Sequence, residues 1–410
     1  YEMTSSLVGS EMCIRDSAYV EFKEKNMLIY DTKHGDRIET AQEKVITLIK
    51  EMYEPNNLGV IPISNELQSD PYIRSFIQEI INKEMGDLMD TEHFPNKPIR
   101  LIPTLSLQKD IDRHIEYEDK VAFIGKDISK YLTEVNVYLN SICDKSCKHC
   151  ESYCKQIHCC TTNNPSTELP IEQVRNLLEQ LRYSPVNTIN LYGGDILSYS
   201  YLNELQLLAS SYPKTLHFYI HHKNYRENEF VDSQLLELII TFPMDGNHFH
   251  ELWKQITDKQ SKLHFIVEDE QQYNDSARLI NEYNIKEYSI HPYYTGENIH
   301  FFEDNIFLNK EDIFYKALQM REIFRNQKLN SNSFGTLYVL PDGTVKANMN
   351  TAVLGNIAED DILDIIYKEL IENTAWRTIR NSHPCDQCIY QFMCPAPSNL
   401  SLIHISEPTR

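Results

Sequence analysis

The sequence predicts an α/β protein built on a parallel sheet, preceded by a small α+β module and followed by a cysteine-bearing extension. Three observations carry this. From Leu132 onward, apolar runs of strand length alternate with helical patterns in about six βα units, which implies a parallel sheet, either a partial barrel or an open doubly wound form. The stretch before it mixes short strands with two amphipathic helices. Two unusual segments, a cysteine run and a glycine pair, fall directly after the first two strands of the alternating region. Folds of this kind place ligands beyond the carboxyl ends of their strands.

The ends stand apart. SLVGSEMCIRDS (Ser6 to Ser17) and LSLIHISEPTR (Leu400 to Arg410) resemble translated sequencing-adapter read-through. Residues 1–17 and 400–410 are therefore expected to be foreign and to lie outside the fold, with native residues missing at both ends. Length suits two or three domains. The balance of 39 Lys and Arg against 60 Asp and Glu gives a net charge of −21. Such a surface repels phosphate backbones, and with no dense basic patch it argues against nucleic-acid binding. No apolar run reaches the roughly 18 residues of a membrane span, so no membrane partner is expected.

Within residues 18–130, NMLIYDTKHGDRIET reads as two strands around a His34-Gly35-Asp36 turn. A helix follows with Val45, Ile46, Leu48, Ile49 and Met52 on one face, then the strand VIPIS and the helix YIRSFIQEIINKEM. The strand around Asn26 to Asp31 is a candidate sheet edge for binding an extended peptide, against an equally simple structural role. In residues 131–325, TEVNVYLN, NTINLYGGD, TLHFYI, KLHFIVE and KEYSIH are strands, with a further one near Phe242 to His248. Helices are expected behind Pro170, at YLNELQLLASS, FVDSQLLELII and DSARLINEY. In residues 326–399, GTLYVLPDGTVKAN is a hairpin around Pro341-Asp342-Gly343, followed by a helix near Ile362 to Glu372.

Cysteine placement is more informative than the count of 10. Apart from Cys13, the thiols fall in two bursts: Cys143, Cys147, Cys150, Cys154, Cys159 and Cys160, then Cys385, Cys388 and Cys394. Clustered thiols in a long acidic chain point to metal or iron–sulfur ligation in a reducing cytoplasm rather than to a secreted disulfide framework. Closely spaced cysteines on one loop can wrap a cubane corner. Zinc ligation and inert scaffold thiols are the competing readings for the first burst. Cys154, Cys159 and Cys160 receive no role.

The Cys143-x3-Cys147-x2-Cys150 spacing after a first strand, with Gly193-Gly194-Asp195 ending the second, resembles the radical S-adenosylmethionine (SAM) enzymes. The resemblance implies a partial (β/α)6 barrel and a [4Fe–4S] cluster on Cys143, Cys147 and Cys150, with SAM chelating the open iron. One-electron cleavage of SAM would then yield a 5′-deoxyadenosyl radical. Gly193, Gly194 and Asp195 correspond to the family's GGE turn and would help place SAM; aspartate is a departure. Cys385-x2-Cys388-x5-Cys394 resembles the SPASM extension of peptide maturases, implying an auxiliary cluster. Asn348 and Ser398 stand where that extension usually has cysteines, and zinc held by the three thiols, with His383 a candidate fourth ligand, is the competing reading.

The first module resembles the extension of a Bacteroidales-type subgroup of such maturases, some of whose members are called pseudo-radical-SAM proteins after losing cluster cysteines. This chain keeps all three. The family resemblance implies modification of a ribosomally made precursor peptide in natural-product biosynthesis, an electron donor such as flavodoxin or ferredoxin, and a cytoplasmic location. The alternative is a non-catalytic peptide-binding scaffold on the same fold, zinc-stabilised or not.

Overall fold

The computed structural model describes residues 10–54, 56–57, 59–90, 128–143, 145, 155–156 and 167–401. The chain divides into two compact units. The first joins Tyr1–Leu107, Leu308–Lys328 and Ile379–Ala396; the second joins Gln108–Phe307, Leu329–Thr378 and Pro397–Arg410.

The first unit opens with β1 (Ser10–Ile14), β2 (Ala18–Phe22), β3 (Met27–Asp31), β4 (Arg37–Thr40) and α1 (Glu43–Met52). There follow β5 (Val60–Ile63), α2 (Asn65–Ser69), α3 (Pro71–Asn82) and β6 (Gly86–Asp90). The helices form as their apolar spacing predicts. Ile73, Phe76, Ile77 and Ile80 of α3 share a core with Val45, Ile46, Leu48, Ile49 and Met52 of α1. Pro71 occupies the first helical position of α3, and the Asp70 carboxylate accepts from Tyr72 N–H at 2.9 Å and Ile73 N–H at 3.3 Å, capping orphan donors.

Two expectations are corrected here. Ser10–Ile14, set outside the fold above, is the middle strand of an antiparallel sheet ordered β5–β1–β6. Its Met12 and Ile14 alternate inward onto the same core as Ile61 and Ile63, so the segment has a buried face and two paired edges. The Asn26 to Asp31 strand is not an edge: β3 pairs with β2 on one side and β4 on the other, and all five of its residues are buried. A second core joins sequence-distant parts of this unit, packing Tyr19, Leu28 and Tyr30 with Ile323 and Met393. Leu318 N–H donates to the Tyr30 hydroxyl at 2.8 Å within the same contact.

The second unit repeats strand and helix: β7 (Glu134–Tyr138), α4 (Ile171–Leu181), β8 (Thr188–Tyr192), α5 (Leu202–Ser210), β9 (Leu216–His221) and α6 (Glu229–Asp232), followed by β10 (Leu235–Thr241), α7 (Gly246–Ile256), β11 (Ser261–Val267), α8 (Glu270–Glu282) and β12 (Tyr288–Pro292). These six strands are parallel and lie in consecutive order from β7 to β12. With no reversal of order, right-handed crossovers put every helix on one face. That is the winding of a partial (β/α)6 barrel and not of a doubly wound sheet. β13 (Thr336–Val339) extends the sheet parallel to β7, and β14 (Thr344–Lys346) and β15 (Val353–Asn356) add to it antiparallel. The turn between β13 and β14 holds Gly343 at φ 82°, a conformation in which a Cβ would be strained.

One strand is displaced from its expected place. The helix expected over 230–240 is a four-residue α6 followed by strand β10, and the strand expected near 242–248 gives way to α7. LLELII is apolar on both faces except for the buried Glu237, as befits a strand covered on both sides, and such runs carry no clear period. Leu236, Leu238 and Ile240 face one way; Glu237, Ile239 and Thr241 face the other.

Candidate functional site

The glycine pair and the first cysteine meet at the carboxyl end of β7 and β8. Gly194 N–H donates to both the backbone carbonyl of Asn140 (3.2 Å) and its side-chain Oδ1 (3.1 Å). Asp195 N–H donates to the Ile142 carbonyl, and Asn140 Nδ2 returns a bond to the Asp195 carbonyl at 2.9 Å. The turn therefore rests directly on the chain leading into Cys143. Glycine is required by space: a Cβ on Gly194 would lie 2.5 Å from the Ile142 carbonyl carbon and 2.8 Å from Cys143 Cβ. A Cβ on Gly193 would meet Asn140 Oδ1 at 2.8 Å.

The Asp195 carboxylate is committed locally. It accepts from Leu197 N–H at 3.2 Å and Ser198 Oγ at 2.6 Å, and Arg226 Nη1 reaches both its oxygens at 3.2 and 2.9 Å. The turn thus brings backbone against Cys143, while its acidic side chain is held by Leu197, Ser198 and Arg226. Cys143 is half-buried. Cys147, Cys150, Cys154, Cys159 and Cys160 lie outside the described residues. Beyond the motif, Gln156 is pinned to the end of β12: its Nε2 donates to the Tyr294 carbonyl and its Oε1 accepts Tyr294 N–H, both at 2.8 Å. Cys143 before that segment and Gln156 after it therefore both stand at the carboxyl end of the sheet.

Sequence reading missed Asn224 and Arg226. Asn224 Nδ2 donates to the Gly194 carbonyl at 2.7 Å and lies 3.8 Å from Cys143 Sγ. A positional signal existed, because both residues follow the third parallel strand, where such sheets gather ligands.

Below this end the barrel interior is filled. Tyr138 stacks on Tyr192 at 5.1 Å between ring centroids, and Tyr192 on Tyr219 at 4.3 Å; Tyr338 joins the same cluster. Beside them a buried carboxylate is satisfied by two imidazoles. Glu237 accepts from His217 Nδ1 at 2.8 Å and His264 Nε2 at 2.7 Å, and His264 Nδ1 meets His291 Nε2 at 2.9 Å. Burial raises the Glu237 carboxyl, but the bonds and charge from His217 and His264 outweigh it and bring it down to about 2. At the upper rim, His222 hydrogen-bonds Thr241 Oγ1 (3.3 Å) and His248 (3.4 Å). Burial, then the neighbouring His221, His248 and Lys223, depress it to about 2, so it is neutral at ordinary pH.

The second thiol burst lies in the first unit. Cys385–Gln387 is a single 3-10 turn; Arg380 Nη1 reaches Cys385 Sγ at 3.8 Å, and Tyr390 N–H reaches Cys388 Sγ at 3.4 Å. Asn326 Nδ2 holds the carbonyls of Phe392 (3.1 Å) and Cys394 (3.2 Å). Burial pushes the Cys394 thiol up to about 11; Arg380 opposes this, and Cys388 and Cys385 add to it. Backbone N–H donation to a CxxC sulfur suits a thiolate ligand. Among the described residues, however, no group of three or more His, Cys, Asp or Glu is arranged to hold a metal ion. Asn348 belongs to the second unit, where its Nδ2 donates to Asn399 Oδ1 at 2.9 Å. No helix among the described residues is long and apolar enough to cross a membrane.

No protein-family model matches the sequence, and no curated protein matches it. Several solved structures are similar in shape. Streptococcus suis SuiB bound to S-adenosylmethionine is 12% identical with a TM-score of 0.45, and the match covers 96% of both chains. SuiB bound to precursor peptide SuiA is 12% identical with a TM-score of 0.46, covering 96% of this chain and 97% of that one. Native anSMEcpe with bound AdoMet is 12% identical with a TM-score of 0.43, covering 64% of this chain and 88% of that one. These likenesses are distant.

Proposed function

We propose that the chain is a radical SAM peptide maturase acting on a ribosomally made precursor peptide. The observation that carries this reading is the contact between the Gly193-Gly194-Asp195 turn and Cys143 at the carboxyl end of β7 and β8. A cysteine at the strand exit, beside a turn too close to it to admit a side chain, fits a cluster corner beside a SAM-binding backbone. Cys143, Cys147 and Cys150 would hold the [4Fe–4S] cluster. When bound, cluster and SAM would supply one-electron cleavage of the sulfonium and hydrogen abstraction from the peptide. The chain's own part is positional. Gly193 and Gly194 leave room for close backbone approach; Arg226 pairs with the Asp195 carboxylate and holds it; the stacked tyrosines pack beneath the turn. Cys385, Cys388 and Cys394 would hold an auxiliary cluster or zinc.

The N-terminal residues 18–130 would hold the precursor's leader, with pairing assigned to an outer strand such as β2, since β3 has no free edge. An electron donor of the flavodoxin or ferredoxin kind would supply the reductant. The test is anaerobic reconstitution followed by reduction with SAM present. The expected result is [4Fe–4S] absorption and SAM consumption, both lost at the first centre in Cys147→Ala. Stoichiometric zinc without iron uptake would end this reading. Iron uptake without SAM cleavage would favour a peptide-binding scaffold on the same fold.

A further inference from the structure

Asn224 is 6% exposed and sits where the chain leaves β9, its N–H bonded to the His221 carbonyl at 2.8 Å. Its amide orientation is fixed by chemistry. The Gly194 carbonyl, 2.7 Å away, can only accept, so the nitrogen and not the oxygen of the amide must face it. An amide nitrogen carries two hydrogens. One serves Gly194, and Cys143 Sγ lies 3.8 Å from the same nitrogen, within reach of a sulfur acceptor. Arg226 reinforces the loop through the Asn224 carbonyl at 3.3 Å while gripping Asp195.

We propose that Asn224 is a positioning residue that ties the Cys143 sulfur to the glycine turn and, through its N–H···S bond, tunes the reduction potential of the iron–sulfur cluster that Cys143 helps to hold. The inference rests on the cluster reading above. Donation to a ligand sulfur draws charge away from the cluster and favours the more negative, reduced state, which raises the potential. Burial keeps water from replacing the donor and strengthens the bond. The second bond, to Gly194, stops the amide from rotating away, so the donor is held in place before any metal binds.

The test is a dye-mediated redox titration of reconstituted full-length protein, read by electron paramagnetic resonance, with iron content and melting recorded for each variant. Asn224→Leu keeps the approximate shape and removes the donor. It is expected to retain iron yet shift the midpoint downward, lowering the ratio of reduced to oxidised cluster at a fixed potential by about tenfold, equivalent to about 59 mV for a one-electron couple. Ser198→Ala loosens the same turn without changing charge or touching the sulfur, and its ratio should match the wild type. Should Asn224→Leu fail to fold, the wild type still decides: a protein labelled with 15N-asparagine should show nitrogen coupling to the reduced cluster. A wild-type cluster with no such coupling, or an Asn224→Leu ratio equal to wild type, overturns the inference and leaves the cluster reading standing. A wild type that takes up no iron overturns the cluster reading itself.

Discussion

Replacing Gly194 with alanine tests the geometry of the site without any cofactor. The new Cβ would stand 2.5 Å from the Ile142 carbonyl carbon and 2.8 Å from Cys143 Cβ, against the usual carbon–carbon separation of roughly 3.5–4.0 Å. Backbone on one side and a main-chain-proximal Cβ on the other cannot swing aside, so the turn must withdraw by about 1 Å. That takes Gly194 N–H, at 3.2 Å from the Asn140 carbonyl, and the Gly194 carbonyl, at 2.7 Å from Asn224, toward or past hydrogen-bond reach. Two bonds at about 1 kcal/mol each, with about 1–3 kcal/mol of overpacking, amount to a loss of about 3–5 kcal/mol. At about 2–4 °C per kcal/mol for a unit of this size, melting should fall by about 6–20 °C. Thermal unfolding followed by circular dichroism reads the effect. Gly246→Ala is the control, because no atom lies within 4 Å of its added Cβ and alanine suits the start of α7. If Gly194→Ala melts within about 2 °C of wild type, the turn does not rest on the β7 exit as described.

Other outcomes follow from the buried titratable groups and the second thiol burst. His222 stays neutral in the fold down to about 2 while the unfolded chain takes up its proton near pH 6.5, so stability falls as pH drops below 6.5. Between pH 7 and 5 that contribution is at most about 2 kcal/mol, and His222→Asn should flatten the pH dependence of urea midpoints by that amount. Glu237 works on the carboxylate side: its folded value near 2 against an unfolded 4.5 gives stability that is present above pH 4.5 and lost as pH falls toward 2. Glu237→Gln should destabilise by about 1–3 kcal/mol at pH 7, measured by urea unfolding, and lose its penalty near pH 2. Cys388→Ala should lower total iron while SAM cleavage at the first centre persists; zinc lost from the variant, with iron unchanged, would assign the thiols to a structural metal.

The sequence exposed what local pattern encodes. The amphipathic faces of α1 and α3, the hairpin at Gly343 and five of the six parallel strands could be read from periodicity and turn chemistry. β10 was hidden because a strand buried on both faces has no alternation, and because Glu237, which looks like a solvent-facing helical residue, is satisfied inside by His217 and His264. β3 was misplaced at an edge because pairing partners are a property of the assembled sheet; β2 and β4 both had to be located first. At the site, the spacing of Cys143, Cys147 and Cys150 and the glycine pair were visible as motifs. Asn224 was not, since its importance comes from a contact with Cys143 across a sequence gap that no local pattern marks.

The core formed by Tyr19, Leu28 and Tyr30 with Ile323 and Met393 sets a schedule for synthesis. A ribosome finishes β1 to β6 long before it reaches Met393, and at roughly 5–20 residues per second the interval is on the order of tens of seconds. Until residues 308–328 and 379–396 emerge, Leu28 and Tyr30 have only Tyr19 of this core beside them, which leaves apolar surface open on the nascent segment. Stalling or cutting the chain before Leu308 should therefore leave this opening segment aggregation-prone even though every one of its own strands and helices has been made.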